Sequence, residues 1–499
     1  MKKNLIKSAT LILSLSMVIT ITSCTKLTEE PYSAISTGQF YKTEADANAA
    51  LTAAYGPLAD LYYTAGTCVS DWSADQSYPR QAVGRNTMTL FNYDPNYTTQ
   101  KSFSRTNESP QQIWVACYSG IEKSNWVISK VPDINMAAAT KDAILGEAYF
   151  LRAFYHFTLT KNFGDVIIKT VPSDNIDAAL QVVSPKANVY KQIFADLDVA
   201  VAKLPAHSPT LVKGRTSKEI ALGLYAKAAL YAENWPLALE KAKLVIASNK
   251  FTLLTEPVDL YNVAKEDASR TENMWAYECE STNPGRSSQL MSLYGPKNSD
   301  SPVYGTTTFG SIFAYQAFYD SFSPADKRRL LLATSYVTKS GTTVAQKDIT
   351  PITTKGVLIK KYMDPNSIGA NQAVNVPILR FADVYLIAAE AEARANGVNV
   401  DAYLYLNKVH QRSNVDPVIP GLTKDQFIAA VLQERSWEFF GEGDRWYDLT
   451  RTNTFMQVIP TAVNDVYPTR NIQPKNRYFP IPQDEINANN KIVQNPDWK

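Results

Sequence analysis

The most informative segment of the chain is Glu434-Arg435-Ser436-Trp437-Glu438-Phe439-Phe440-Gly441-Glu442-Gly443-Asp444-Arg445-Trp446-Tyr447-Asp448-Leu449. It interleaves acidic residues and two arginines with aromatic side chains. A glycosidase needs two carboxylates that face one cleft. Here Glu434 and Glu438 stand four residues apart on one helix, and Arg435 and Arg445 are near enough to pair with acids. The pattern therefore favours structural ion pairs over a catalytic site.

Further motifs lie in other parts of the chain. They are Gly146-Glu147-Ala148-Tyr149-Phe150-Leu151-Arg152-Ala153-Phe154-Tyr155 followed by Asn162-Phe163-Gly164-Asp165-Val166, Leu379-Arg380-Phe381-Ala382-Asp383-Val384-Tyr385-Leu386 with Ala389-Glu390-Ala391, and a tail containing Phe479-Pro480-Ile481-Pro482, Glu485 and Gln494-Asn495-Pro496. Each motif is short, but their order and spacing agree with one pattern. Together with residues 434–449 they resemble the SusD/RagB family of outer-membrane glycan-binding lipoproteins.

The resemblance implies a mainly α fold with degenerate, interrupted tetratricopeptide helix pairs and long loops that contain short strands. It implies a surface site for a glycan or a peptide, built from loops that vary between members. It also implies a partner, a SusC-like TonB-dependent outer-membrane barrel. In this family the segment that matches residues 434–449 is framework without hydrolytic chemistry, so the resemblance predicts a protein that is not an enzyme.

Hydrophobic periodicity independently predicts that most of the chain is helical. Thr43 and Asp46 stand at capping-box spacing before a helix that runs to about residue 62, and Ser109-Pro110 begins another. The predicted tetratricopeptide-like pairs are about 140–164 with 185–205, 217–248, and 380–412. The last two pairs lie far apart in the chain, so we expect interrupted repeats and not a regular solenoid.

The N-terminus has the features of a lipoprotein signal. Lysines precede a short apolar run that ends at Ile21-Thr22-Ser23-Cys24, and this ending resembles a bacterial lipobox. We therefore expect a signal peptide over 1–23, lipidation of Cys24, a tether over 24–40 and a single SusD-like domain over 41–499. No later apolar run approaches the roughly 20 residues of a membrane span, so the lipid is the expected anchor.

The expected location is the outer membrane with the protein facing outward, since Glu29-Glu30 resemble the acidic tag of surface-exposed lipoproteins. Composition excludes another class of partner. The chain has 50 Lys+Arg and 48 Asp+Glu among 499 residues, and this near-balance predicts no nucleic-acid partner.

Sequence motifs for cofactors and catalytic centres are missing. The chain has no phosphate loop, GxSxG elbow, HExxH helix or EF-hand spacing, so we expect no cofactor and no metal site. Cys68, Cys117 and Cys279 have no metal-binding spacing. They permit one disulfide, but buried or free thiols are the favoured interpretation.

Two stretches without helical periodicity, about 65–108 and about 281–377, are the predicted variable ligand loops. A sugar has an apolar face that stacks on an aromatic ring and hydroxyls that bond to Arg, Asn, Asp or Gln. The first stretch supplies that mixture and the second supplies two tyrosines. The candidate ligand-binding residues are Trp72, which leads, then Tyr78, with Asp71, Asp75, Arg80, Tyr294 and Tyr304. Most aromatic residues in any protein are structural, which is the competing interpretation.

The sequence thus predicts a cell-surface lipoprotein that captures an oligosaccharide, delivers it to a TonB-dependent transporter and acts as the transporter's lid. One alternative is a peptide-binding, RagB-like member. Another is a protein-interaction scaffold whose helix pairs contact the transporter while the loops bind no small ligand. The sequence does not select the sugar, its linkage or its chain length, because these depend on the shape of the loops.

Overall fold

Helices dominate the computed structural model, which describes residues 40–81, 85–96, 108–297, 301, 303–462, 466–467 and 469–499. The α-helices are α1 (Glu44–Tyr55), α2 (Pro57–Asp60), α3 (Gly66–Ser73), α4 (Arg85–Leu90), α5 (Pro110–Lys130), α6 (Ala138–Phe163), α7 (Ile176–Ala179), α8 (Lys186–Lys203), α9 (Lys218–Tyr231), α10 (Trp235–Ala247), α11 (Glu266–Ser269), α12 (Leu290–Tyr294), α13 (Gln316–Asp320), α14 (Phe381–Ala395), α15 (Val400–Arg412), α16 (Lys424–Phe439), α17 (Arg445–Arg451), α18 (Phe455–Thr461) and α19 (Gln483–Ala488). The predicted signal peptide, Cys24 and nearly all of the tether lie outside the described residues.

The strands are short and pair as antiparallel two-stranded sheets. They are β1 (Ser77–Pro79), β2 (Trp275–Tyr277), β3 (Ile312–Ala314), β4 (Leu332–Ala333), β5 (Ser335–Val337), β6 (Thr343–Ala345), β7 (Leu358–Ile359) and β8 (Val376–Leu379). The pairs are β1 with β3, β2 with β8, β4 with β7 and β5 with β6. Most of these strands fall in the stretch 281–377, where the sequence predicted short strands inside a long loop.

The mainly α fold with short strands is confirmed. Helix α6 packs against α8, α9 against α10, and α14 against α15, at the positions of the three predicted helix pairs. Helix α10 also packs on α14, although residues 248–380 separate them in the chain. The long insertion therefore leaves the helical layer continuous in space. Residues from Thr43 to Lys499 form one compact unit.

Local capping signals explain where the helices begin and end. The Thr43 hydroxyl accepts from the Asp46 backbone and the Asp46 carboxylate accepts from the Thr43 backbone, as the predicted capping box requires. Ser109 caps α5 by accepting from the backbone of Gln112. Helix α6 ends at Gly164, whose φ of 75° lies in the left-handed region that glycine adopts at low cost.

The stretch 65–108 differs from its prediction, because the structure places helices α3 and α4 within it. Residues 67–73 of α3 are all buried, so the helix has no solvent-facing side and shows no amphipathic period. Helix α1 also ends at Tyr55, short of the predicted residue 62, and a π-helical turn over Leu61–Ala65 connects α2 with α3. A helix that is buried on every side has no alternation of apolar and polar residues, so hydrophobic periodicity does not predict it.

The charged residues of the 434–449 stretch are structural, as predicted. Arg435 lies on α16 and binds Asp383 at 2.6 Å and Asp448 at 2.7 Å. Glu434 binds Arg328 at 2.6 Å. These side chains are nearly inaccessible to solvent. Buried charges need such partners, because an unpaired one would lose its hydration without compensation.

Glu390 gives the helical framework an acid-sensitive pair with a defined pH window. Its carboxylate is buried and accepts bonds from Arg451 at 2.6 and 2.8 Å and from Arg394 at 2.9 Å. Burial opposes ionisation, but the two arginines outweigh it and lower the pKa of Glu390 from 4.5 to about 2. A carboxylate with a depressed pKa stabilises the fold above its unfolded pKa and loses that contribution as the pH falls.

We therefore expect the free energy of unfolding to fall between about pH 4.5 and pH 2 partly through Glu390. Urea unfolding of the wild type and of Glu390→Gln at several pH values measures this. The variant is expected to be less stable at pH 6, and the difference should shrink toward pH 2. A difference that stays constant over this range would contradict the assignment.

None of the described helices combines the length and the apolar character that crossing a bilayer requires.

Candidate ligand-binding site

Helix α3 carries two of the predicted ligand-binding residues, Asp71 and Trp72, into the interior. Trp72 is completely buried, and its indole N–H has no acceptor among the described residues. The guanidinium of Arg85 lies 5.8 Å from the ring centroid, and Thr89 donates to the Trp72 carbonyl at 2.8 Å. The Trp72 ring is therefore covered in this structure, and the predicted stacking of a sugar on it stays a prediction.

Asp71 is brought together with another predicted residue, Tyr294 of α12. The Tyr294 hydroxyl donates to the Asp71 carboxylate, and both side chains are buried. Burial raises the pKa of Asp71 to about 7, although the Tyr294 hydrogen bond favours the ionised form. The pair thus joins α3 to the second predicted loop as an internal contact and not as an open binding surface.

The raised pKa of Asp71 leads to a stability prediction with the opposite pH dependence to that of Glu390. The folded state binds the Asp71 proton more tightly than the unfolded state, so this group lowers stability progressively between about pH 4 and pH 7. We expect Asp71→Asn, which keeps an oxygen acceptor for Tyr294, to gain stability relative to the wild type as the pH rises through this range. Thermal unfolding at pH 4 and pH 8 checks it, and equal differences at both values would contradict it.

Tyr78 lies in β1 and belongs to a buried aromatic layer. Its ring stacks on Tyr315 at a centroid distance of 4.8 Å and meets Phe313 at 6.0 Å and Tyr467 at 6.2 Å. The Tyr467 hydroxyl donates to the Pro79 carbonyl at 3.0 Å. Only 1% of Tyr78 is exposed, so this side chain supports the β1–β3 sheet from beneath.

Asp75 and Tyr304 also have structural surroundings. Asp75 accepts a two-pronged bond from Arg445, with both distances 2.7 Å. Arg445 lowers the pKa of Asp75, although burial works in the other direction. Tyr304 is buried, and its carbonyl accepts from the Asp364 backbone at 3.4 Å. Five candidates are therefore buried and a sixth, Asp75, is paired with Arg445, while a binding role for any of them stays a prediction; the five are Asp71, Trp72, Tyr78, Tyr294 and Tyr304.

Arg80 is the candidate that reaches the surface. Its backbone donates to the Ser311 carbonyl at 2.7 Å, which fixes it beside β3. Its guanidinium is partly exposed and has no hydrogen bond or carboxylate partner among the described residues. Partial burial and the nearby Arg85 lower the pKa of Arg80, but its ordinary value of 12.5 is so high that the group stays charged near neutral pH.

Sequence reasoning missed two side chains at the same edge, Lys297 and Phe309. Gly310 donates to the Gly295 carbonyl at 2.9 Å, and its φ of 54° is left-handed. A Cβ atom at Gly310 would lie only 2.7 Å from Lys297, so glycine is required for this approach. Lys297 is exposed and Phe309 is partly exposed. We call Arg80, Gln81, Lys297, Phe309 and Gly310 the Arg80 edge.

A signal for this edge exists in the sequence. Phe309 is a lone aromatic residue inside the run Gly305-Thr306-Thr307-Thr308-Phe309-Gly310-Ser311, where small residues let the backbone turn. Chemically, the edge combines a partly exposed aromatic residue with an ammonium, an amide and a guanidinium that has no partner among the described residues. That is the mixture predicted for sugar recognition, and Arg80 is the residue it shares with the candidates predicted from the sequence.

Other groups that resemble catalytic or metal-binding residues are internal. His156 is buried, its Nδ1 lies 3.0 Å from the Arg152 carbonyl and its Nε2 accepts from the Lys169 backbone at 3.3 Å. Burial lowers the pKa of His156 to about 3, so it is neutral. Cys68, Cys117 and Cys279 are buried free thiols, as favoured from the sequence. Within the described part of the chain, no group of three or more acidic, His or Cys side chains is placed to hold a metal ion.

Comparisons with known proteins match both ends of the chain. A family model described as "SusD family" matches residues 332–498, and one described as "Starch-binding associating with outer membrane" matches residues 27–230. SusD-like protein P25 of Formosa agariphila is 25% identical over 532 aligned positions, which cover 98% of each chain.

Solved structures share the fold. A "Laminarin binding SusD-like protein" aligns with a TM-score of 0.76 at 22% identity and covers 91% of this chain and 100% of that one. Surface glycan-binding protein A from Bacteroides thetaiotaomicron, solved with laminarihexaose, aligns with a TM-score of 0.73 at 22% identity, over 91% of this chain and 100% of that one. These structures show the fold, while the two family models and the SusD-like relatives show that the chain belongs to the SusD/RagB family.

Proposed function

We propose that this protein is a lipid-anchored glycan-binding protein of the outer membrane that captures an oligosaccharide and delivers it to a SusC-like TonB-dependent transporter. The observation that carries the proposal is the pair of family matches at residues 27–230 and 332–498, one of which is described as starch-binding. Relatives whose names refer to laminarin and laminarihexaose support a glycan as the ligand class.

The Arg80 edge is the proposed contact surface for the sugar. Arginine presents several N–H donors in a fixed planar arrangement, so a guanidinium that has no hydrogen-bond partner among the described residues is well suited to neighbouring sugar hydroxyls. Phe309 is partly exposed and is the aromatic residue that this edge would bring to the C–H side of a pyranose. The buried layer of Tyr78, Tyr315 and Tyr467 holds the supporting strands in place beneath it.

A binding role without catalysis is also consistent with the charge chemistry. A glycosidase acid must be protonated near neutral pH. The pKa values of Glu434, Glu438 and Glu442 are all lowered, because arginines and a lysine outweigh the effect of burial. These carboxylates stay ionised and are held in ion pairs, so they are poor proton donors.

In the proposed mechanism the protein closes as a lid over the transporter, with the glycan held between the two. A ligand favours closure only if it contacts the closed state better than the open state. An oligosaccharide long enough to touch both proteins is therefore expected to bind the complex more tightly than the lone lipoprotein. Equal affinity for both would favour simple surface capture without a lid.

The proposed binding surface is tested with the full chain purified in detergent and screened against an oligosaccharide array. For the best glycan, Arg80→Gln is expected to weaken binding about tenfold or more, since hydrogen bonds from a charged donor contribute roughly 1.5–3 kcal/mol. Calorimetry measures the change. Arg286→Gln is the matched control, because Arg286 is exposed and pairs with Glu280 at 2.9 Å.

The outcomes separate the alternatives. Unchanged affinity in Arg80→Gln would remove the Arg80 edge from the site. Binding of peptides with no glycan recovered would favour the peptide-binding alternative. Failure to bind either ligand class, combined with co-purification of a transporter barrel, would favour the scaffold.

A further inference from the structure

A surface groove that is separate from the Arg80 edge is lined by residues near the C-terminus and near the start of α8. It has a volume of about 510 Å³ and runs between the N-terminal end of α8 and the C-terminal segment 477–497. This size falls within the range of small-molecule sites in proteins. We call it the Tyr478 groove, and the residues that matter here are Lys186, Arg477, Tyr478 and Asp497. None of them belongs to the Arg80 edge.

Two cations of the groove have no carboxylate partner among the described residues. The Lys186 ammonium donates to the Tyr478 hydroxyl at 3.0 Å, while only the Lys186 backbone N–H contacts Asp165, at 2.7 Å. The Arg477 guanidinium makes no hydrogen bond to a described residue, and its Nε is shielded from solvent without an acceptor. A shielded guanidinium donor without an acceptor is unfavourable until an anion or water binds it.

A third cation lies in the cleft that adjoins the groove and shares Lys186, Arg477 and Tyr478 with it. This is Lys161, whose ammonium lies 4.2 Å from the ring centroid of Tyr447. Burial lowers the pKa of Lys161 to about 8, and it has no salt bridge in the described part of the chain. At neutral pH this lysine is mostly charged, so it adds to the positive potential behind the groove.

The groove also presents a positioned aromatic ring. Tyr478 is partly exposed, and the charged ends of Lys186 and Arg477 each lie 5.6 Å from its ring centroid. The backbone at this point is fixed, because the Trp498 indole N–H donates to the Tyr478 carbonyl at 3.0 Å. Gly164 lies against the ring, since a Cβ atom there would come within 3.1 Å of it.

We propose that the Tyr478 groove is a second carbohydrate site and that it takes an acidic sugar, a uronate. The planar fork of Arg477 matches a carboxylate in two-pronged geometry, and Lys186 supplies a second positive charge. The Tyr478 ring faces the apolar side of the sugar, and the exposed Asp497 carboxylate is an acceptor for its hydroxyls. Asp165 and Asp497 also line the groove, but neither forms a salt bridge with Lys186 or Arg477. A neutral sugar would therefore leave the two cations without a paired carboxylate, so it is expected to bind less well.

The test uses the full chain in detergent, with trigalacturonate as the acidic probe and maltotriose as the neutral one. Calorimetry is expected to show that trigalacturonate binds at least about tenfold more tightly than maltotriose. Its affinity should fall as the salt concentration rises from about 50 to about 300 mM, because salt screens the charge pairs. Arg477→Gln and Lys186→Gln are each expected to weaken it by about tenfold. Lys475→Gln is the matched control, because the Lys475 ammonium lies over the Trp498 ring at 4.5 Å and does not line the groove.

Thermal unfolding of each variant verifies that it is folded, and the use of two separate cations keeps the test valid if one variant fails. Equal affinity for the two probes, or undiminished trigalacturonate binding in both folded variants, would overturn the proposal. A loss of trigalacturonate affinity in Arg477→Gln that exceeds any loss in Arg80→Gln would assign the acidic sugar to the Tyr478 groove and not to the Arg80 edge. If trigalacturonate binding is lost in Arg80→Gln and retained in Arg477→Gln, the acidic sugar occupies the first site and the Tyr478 groove is not a site.

Discussion

Replacing Arg380 with Met is expected to lower the free energy of unfolding by about 3–5 kcal/mol, the range for breaking a buried ion pair by removing one partner. Arg380 precedes α14, and only 1% of its side chain is exposed. It binds Glu272 at 2.9 Å, Glu438 at 2.7 Å and Glu442 at 2.8 Å. Without Arg380, three buried carboxylates share fewer cations, and their desolvation is no longer compensated.

The surrounding network explains why this arginine matters beyond its own contacts. Glu438 also binds Arg328 at 3.0 Å and Arg412, and Glu442 binds Lys361 at 2.6 Å. Arg328 and Lys361 belong to the insertion over residues 248–380, and Arg412 belongs to α15. The network therefore joins these distant segments to the carboxylates of the 434–449 stretch. Because Glu438 and Glu442 each bind more than one cation, removal of one member alters the charge balance around the others.

Urea unfolding at pH 7 measures the effect of Arg380→Met, and Lys213→Met is the control. Lys213 pairs with Glu266 and Asp267 on the surface and is 56% exposed, so its loss is expected to be within about 1 kcal/mol. A loss of less than about 1 kcal/mol in Arg380→Met would mean that the remaining cations rearrange to neutralise the three carboxylates.

The second large effect is expected at Cys24. We predict that Cys24→Ala moves the protein from the membrane fraction to the soluble fraction, because the lipid is the proposed anchor. Burial of acyl chains stabilises membrane attachment by about 0.8 kcal/mol per CH₂, so the loss of two chains abolishes stable binding. Flotation of outer-membrane vesicles with immunoblotting separates the two fractions.

The matched control for this experiment is Ser14→Ala, a similarly small change inside the apolar run of the same segment. It leaves the residues around Cys24 intact and should leave the protein in the membrane fraction. If Cys24→Ala floats with the vesicles to the same extent as the wild type, the lipobox interpretation is wrong. Retention through a tightly bound transporter is distinguished by repeating the flotation in a strain without that barrel.

The sequence could predict the helical framework because its signals are local. Thr43 with Asp46, Ser109 with Pro110, and the break at Gly164 each specify a helix end within a few residues of chain. The structural role of the 434–449 charges followed from helical spacing and from the presence of both signs. Their partners did not, since Asp75 pairs with Arg445 across 370 positions.

The burial of the candidate ligand-binding residues could not be predicted from local signals. Trp72 and Asp71 stand in a segment whose composition suits sugar binding, and nothing local reveals that α17 packs against α3 there. The backbone N–H of Trp446 donates to the Ser70 hydroxyl at 3.1 Å, a contact between residues 376 positions apart. Such distant contacts determine which side chains are buried. Hydrophobic periodicity indicates only which face of a single helix or strand is apolar. Local sequence signals were enough to predict the family, the mainly helical fold and the kinds of side chain that could bind a ligand. Which of those side chains are buried, and which, such as Arg80 and Phe309, remain partly exposed, depends on contacts between distant segments that only the folded chain makes.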